Sequence, residues 1–201
     1  MTGKTHIAVG AASALALARV GLADPAPALA CLAAGAVGGL LPDADVGSSE
    51  ASRQLRRAWA FLAVVVAAAA VADGTLGLAL LPQLALAIAS LGMPQIAGVA
   101  ILVAVCACGR ASGHRGFSHS LLALGATFAA MRLALPSVAL SLTAGYASHI
   151  ALDFLNKKPE RLLWPLASGQ RLGLLKSGGL ADALLFVAGI GAVAVLLAGP
   201  R

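Results

Sequence analysis

Charge is what this sequence has least of. Asp, Glu, Lys and Arg make up 11% of its 201 residues, against 60% hydrophobic residues and a mean hydropathy of +0.92, which excludes an ordinary soluble globular domain. Such a chain belongs in a membrane. Aromatics are scarce as well, at 4%. The 23 glycines point instead to helices packed closely through small residues, as in Gly35-Ala36-Val37-Gly38-Gly39 with its GxxxG spacing. Cysteine occurs three times, at Cys31, Cys106 and Cys108, always within apolar runs. An odd set placed this way excludes a disulfide framework and a thiolate metal cluster, and reads as small core residues. The net charge of +6 does not indicate nucleic acid, because the basic residues neither line a soluble helix nor alternate with aromatics.

What polarity exists is concentrated. His114-Arg115-Gly116-Phe117-Ser118-His119-Ser120 holds two of the four histidines, an arginine and two hydroxyls within seven residues. His149 and Asp153 stand at i and i+4, on one face of a helix. Asp43 and Asp45 follow Pro42, and two nearby carboxylates repel each other unless a cation lies between them. Ionisable residues in apolar helices are costly and usually functional. We therefore expect His6, Asp43, Asp45, His114, His119, His149 and Asp153 to meet in one metal site at the membrane surface. Imidazole and carboxylate without thiolate suit zinc, manganese or iron, and the histidine share favours Zn2+ over Mg2+ or Ca2+, with Mn2+ or Fe2+ as alternatives. Seven candidate ligands exceed what one tetrahedral ion needs, so one to three ions are expected, a two-metal centre among the options.

Around that centre, Arg115, Lys157 and Lys158 are expected to hold an anionic substrate, with Ser118 beside them, and Gly116 to let the backbone turn. Asp45, Asp153 and Arg115 are the candidate catalytic groups. Ser118 or Ser120 is also suited to capping the next helix. A serine nucleophile is disfavoured: there is no Gly-x-Ser-x-Gly elbow.

Apolar runs cover residues 5–22, 26–41, 58–108, 119–135, 138–155 and 180–198, separated by polar stretches, the longest being 156–179. A signal peptide over the first run is the weaker reading, since cleavage would discard His6. If the histidines and aspartates share one face, residues 58–108 must cross the membrane an even number of times, as a helical hairpin. That arrangement puts eleven of the fourteen Lys and Arg on the face with the site and only Arg19, Arg132 and Arg201 opposite, a positive-inside bias that turns the site toward the cytoplasm. The expected fold is all-α: a polytopic membrane bundle of about seven transmembrane or partly spanning helices, one domain over 1–201 with an extra apolar hairpin at 58–108.

The ordered motifs carry a resemblance. His6, Leu41-Pro42-Asp43-Ala44-Asp45, the stretch 114–120, Gly145-Tyr146-Ala147-Ser148-His149 leading to Asp153, and Leu163-Trp164-Pro165 together resemble the YdjM-type family of bacterial and archaeal inner-membrane metal-dependent hydrolases. More distantly, the His/Asp-rich helical pattern is similar to zinc-dependent phospholipase C. The chain departs at Ser118, where the family usually has threonine, and at 58–108, which is short or absent in some members. The resemblance implies a multi-pass inner-membrane hydrolase with the site residues named above. Its expected substrate is a phosphoester in a membrane lipid or lipid-linked anionic molecule, attacked by a metal-activated water at the cytoplasmic face; nucleic acid is not an expected partner. The alternative expectation is a non-catalytic metal-binding or metal-transporting membrane protein.

Overall fold

Runs of Ala, Leu and Val broken by Gly and Pro dictate helices with abrupt ends, and the computed structural model consists of them. It describes residues 1–22, 26–45 and 50–199, with only the backbone described at 45, 50–59, 61 and 62. Among the described residues there are eight α-helices: α1 (Gly3–Arg19), α2 (Ala28–Gly38), α3 (Glu50–Leu76), α4 (Leu80–Ala89), α5 (Met93–Ser112), α6 (Leu121–Ala134), α7 (Ala139–Phe154) and α8 (Leu180–Ala198). Three 3-10 turns, Leu41–Asp45, Phe117–His119 and Pro136–Val138, link them. No strand is present among these residues, only two isolated bridges.

α1 is the centre, packed against α2, α7 and α8, and α2 also packs against α7. Glycine sets the spacing. A Cβ on Gly145 of α7 would lie 2.0 Å from the carbonyl oxygen of Gly35 in α2, and one on Gly10 of α1 would lie 2.5 Å from that same oxygen. A Cβ on Gly39 would meet the His6 carbonyl oxygen at 2.3 Å, so both glycines of the GxxxG pair serve backbone-to-backbone packing. On the far side of α1, Gly189 of α8 takes up Ala8.

The outer helices differ from the expected arrangement. α3 starts at Glu50, so Arg53, Arg56 and Arg57 lie on its first turns and not in a loop. The stretch 58–108 holds three helices where a hairpin is expected, because the chain breaks at Gly77 (φ 66°) and Ala79 (φ 55°). Asp73 then caps α4 by accepting from the backbone N–H of Leu80 at 2.6 Å and of Leu81 at 2.7 Å. α3 packs mainly on α4 and the Leu41–Asp45 turn, while α5 packs on α6, so the two long helices do not form a packed pair. α4, with ten residues, rises about 15 Å, half the ~30 Å of a bilayer core.

By length and composition, α5 and α8 are apolar enough to cross a membrane, and 17% and 11% of their spanning windows are buried. A core helix of a soluble protein would show the reverse, so these faces belong in lipid. Cys106 and Cys108 sit exposed on α5, contrary to a core role, while Cys31 is buried; all three are free thiols.

The polar stretch 156–179 is irregular yet fixed. The N–H of Arg161 donates to the Arg115 carbonyl at 3.1 Å, and that of Leu121 to the Leu162 carbonyl at 3.0 Å. The segment therefore lies over the 114–121 loop and closes that end of the bundle.

Candidate metal centre

The polar side chains gather at one end of the helices. His6 lies near the start of α1, Asp43 in the turn after α2, His119 just before α6, and His149 and Asp153 in the last two turns of α7. His6, His119, His149 and Asp153 are all buried.

His149 Nδ1 lies 2.7 Å from the Gly39 carbonyl oxygen. A carbonyl only accepts, so Nδ1 carries the proton and Nε2 of the neutral ring presents a lone pair. His119 is held similarly, its Nδ1 3.1 Å from the Ser118 hydroxyl. The two Nε2 atoms face each other at 3.2 Å. Asp43 Oδ1 lies 3.5 Å from that of His119 and 3.6 Å from that of His149. For ligands about 2.0–2.1 Å from a tetrahedral ion, the ligand-to-ligand edge is about 3.3 Å. The three atoms thus form a triangle of the size a cation requires.

Two further groupings adjoin it: His6 with His149 and Asp153, and His119 with Asp153 and Glu160, each with ligand atoms within 4.8 Å of one another. His6 stacks on His149 with ring centroids 3.7 Å apart, and its Nε2 is 3.4 Å from Asp153 Oδ1. Both His6 nitrogens are buried without a hydrogen-bond partner, a costly state that a ligand would relieve. The Met1 amino group meets Asp153 Oδ1 at 2.6 Å, and Arg115 Nη2 donates to Asp153 Oδ2. At Asp43 burial opposes ionisation, but the His119 hydrogen bond and the surrounding imidazoles outweigh it and hold the carboxyl below the usual carboxylate range.

Other expected site residues are placed differently. His114 is exposed at the rim, edge-on to the His119 ring with centroids 5.4 Å apart, and among the described residues it joins no ligand grouping. Between it and His119 the positive φ falls at Arg115 (61°), not at Gly116. Ser118 is buried against His119 and does not face the cleft; its carbonyl accepts from the Tyr146 hydroxyl at 2.6 Å. Ser120 is the helix cap, accepting from the N–H of Ala123 at 3.1 Å. The side chain of Asp45 lies outside the described residues.

Glu160 is the residue that sequence reasoning passed over. It is fully buried, and burial, reinforced by Asp153, pushes its carboxyl up to about 8 against the opposing charges of Arg115 and the terminal amine. Next to the centre opens a cleft of about 360 Å3, lined in part by Asp43, Arg115, Asp153, Lys157, Lys158 and Lys176. Its walls bring cations to the edge of the carboxylates.

A family model described as YdjM inner membrane protein matches residues 1–199. The chain belongs to the YdjM family of inner membrane proteins. Two curated relatives, each named inner membrane protein YdjM, come from Escherichia coli (strain K12) and Shigella flexneri. Each is 41% identical over 73 residues, 33% of this chain and 37% of the relative. The chain thus spans about a third of the length of the curated YdjM proteins it matches. No solved structure matches.

Proposed function

We propose that this YdjM-family protein is a multi-pass, metal-dependent hydrolase that cleaves a phosphoester of a lipid or lipid-linked substrate at the cytoplasmic face of the inner membrane. The observation that carries the reading is the triangle of Asp43 Oδ1, His119 Nε2 and His149 Nε2, with edges of 3.2 to 3.6 Å. Each imidazole is fixed from behind, by Gly39 and by Ser118, the support that metal-binding histidines require. The nitrogen-rich triangle suits zinc, with manganese or iron as alternatives. A bound divalent cation supplies a Lewis acid and acidifies water toward neutral pH.

The chain's own side chains do the rest. Arg115 is anchored by its contacts to Asp153 and the Lys158 carbonyl, and together with Lys157, Lys158 and Lys176 it gives the cleft a positive wall for a phosphate. Asp153, between His6 and Arg115, holds both side chains in position beside the triangle. The ligands sit at one end of the bundle. A transporter instead holds its ion near mid-membrane on broken helices, so the position favours an interfacial reaction. On the even-crossing arrangement expected from the sequence, the site lies on the face that collects eleven of the fourteen Lys and Arg.

The test uses protein purified in detergent. Elemental analysis should find bound zinc, and phosphate or headgroup release from phosphomonoester and phosphodiester lipids should require it. Substituting His119→Ala or Asp43→Ala should remove both metal and activity without altering membrane insertion. Wild-type turnover in either variant would sink the assignment.

A further inference from the structure

The basic wall of the cleft beside the triangle is built from two separate pieces of chain. Lys157 and Lys158 follow the end of α7, while Lys176 and Ser177 lie near the end of the polar stretch, and all four line the cleft. Asn156, which is buried, joins the two pieces. Its Oδ1 accepts from the Lys157 N–H at 2.7 Å, so its amide nitrogen is the atom that donates to Ser177 Oγ at 2.6 Å. Alongside, the Leu175 N–H donates to the Leu155 carbonyl at 2.9 Å. A general excess of positive charge on the cytoplasmic side would be met by lysines anywhere in these loops. It does not call for a buried amide that brings Lys176 beside Lys157.

The charges along the cleft are not equally engaged. Asp153 is matched by the Met1 amino group and Arg115, and Asp43 faces the two imidazoles of the triangle. Lys157, Lys158 and Lys176 are exposed and form no ion pair among the described residues. Ser177, accepting from Asn156, keeps its own hydroxyl proton to give. A phosphodiester carries a single negative charge, whereas a terminal phosphate carries about −1.5 to −2 at neutral pH and offers three strong acceptor oxygens. We infer that Lys157, Lys158, Lys176 and Ser177 form the subsite for a terminal phosphate, so that the substrate is a lipid phosphomonoester and not a phosphodiester. This deepens the hydrolase reading and rests on it for the reaction, though not for the binding. Hydrolysis of such a substrate breaks the bond between phosphorus and the lipid oxygen and adds the water oxygen to phosphorus. One proton of the water leaves with the lipid alcohol, and inorganic phosphate remains.

The experiment uses the full chain in neutral detergent and two probes with the same tail, monododecyl phosphate and its methyl diester. Titration calorimetry on metal-free protein reads binding without turnover. Wild type should bind the monoester about tenfold or more tightly than the diester, the worth of one hydrogen bond to a charged group. Substituting Lys157→Gln, Lys158→Gln and Lys176→Gln together should bring the two probes within about threefold of each other. Arg161→Gln removes a charge from the same stretch but away from the cleft lining, and should keep the wild-type preference. Equal affinities in wild type, a preference that survives the triple substitution, or one that Arg161→Gln also removes overturns the inference. Zinc-loaded protein then reads the reaction, with the higher kcat/KM expected for the monoester. Hydrolysis of the diester with an equal or higher kcat/KM overturns the inference and leaves the hydrolase reading standing. A wild type that prefers the monoester in binding yet hydrolyses neither probe overturns the hydrolase reading and leaves the phosphate subsite standing.

Discussion

The glycine contacts between α2 and α7 make a demanding prediction. In Gly145→Ala the new methyl would lie 2.0 Å from the Gly35 carbonyl oxygen. Restoring ordinary contact at 3.4 Å requires the helices to part by about 1.4 Å. Backbone cannot rotate away as a flexible side chain can, so the strain falls in the overpacking range, about 1–3 kcal/mol. One turn further along α7, His149 reaches across to the Gly39 carbonyl at 2.7 Å. If the separation carries that far, this bond stretches beyond hydrogen-bonding range, and a buried donor left unsatisfied adds about 1–3 kcal/mol. For a chain of this size the sum, about 2–6 kcal/mol, corresponds to a fall in unfolding temperature of roughly 4 to 24 °C. Zinc affinity should fall by about 10–100-fold as His149 loses its rear support. Thermal scans in detergent with and without zinc measure both effects. Gly125→Ala is the internal control, since nothing lies within 4 Å of its Cβ, and it should stay within about 0.5 kcal/mol of wild type. A Gly145→Ala protein that unfolds at the wild-type temperature and holds zinc normally would refute the reasoning, as would an equal loss in Gly125→Ala.

Other outcomes follow from the same geometry. Ser118→Ala removes the partner of His119 Nδ1 and should weaken zinc binding by about 10–100-fold with little effect on folding, measured by competition with a chelator. In metal-free protein the Glu160 carboxyl is pushed up to about 8 from 4.5, so the folded form keeps a proton that the unfolded chain releases. Stability should therefore fall as pH rises from 4.5 to about 8 and level off above it, and Glu160→Gln should flatten that slope in denaturation measured across the range. Asp182 accepts from the N–H of Gly178 at 2.7 Å and of Thr2 at 3.2 Å, joining the start of α8 to the start of α1. Asp182→Ala should cost about 0.5–2 kcal/mol in thermal unfolding, as loss of a helix cap does.

Much of the centre was legible because polarity is rare here. Against apolar helices, His6, Asp43, His119, His149 and Asp153 stand out, and their convergence follows from the alternation of apolar runs and polar breaks. Glu160 did not stand out for the converse reason. It lies in 156–179, where every neighbour suggests a solvated loop, and its burial depends on the paired backbone bonds to Gln170, which leave no sequence pattern. The left-handed turn at Arg115, between His114 and His119, leaves no mark in the sequence either. The helix boundaries near 41–57 and 77–93 were missed where composition changes little and a single φ decides the break.

The central place of α1 has a consequence for how the protein is made. α1 carries His6, and two of the partners that enclose it, α7 and α8, follow it by more than a hundred residues. In the interval α2 is the only one of its three main neighbours already available, and Gly10 seated against Gly35 lets the two associate as an early pair. A chain that stops before α7 would leave that imidazole without the Asp153 carboxylate that lies 3.4 Å from it, a polar group with nothing to offset its burial.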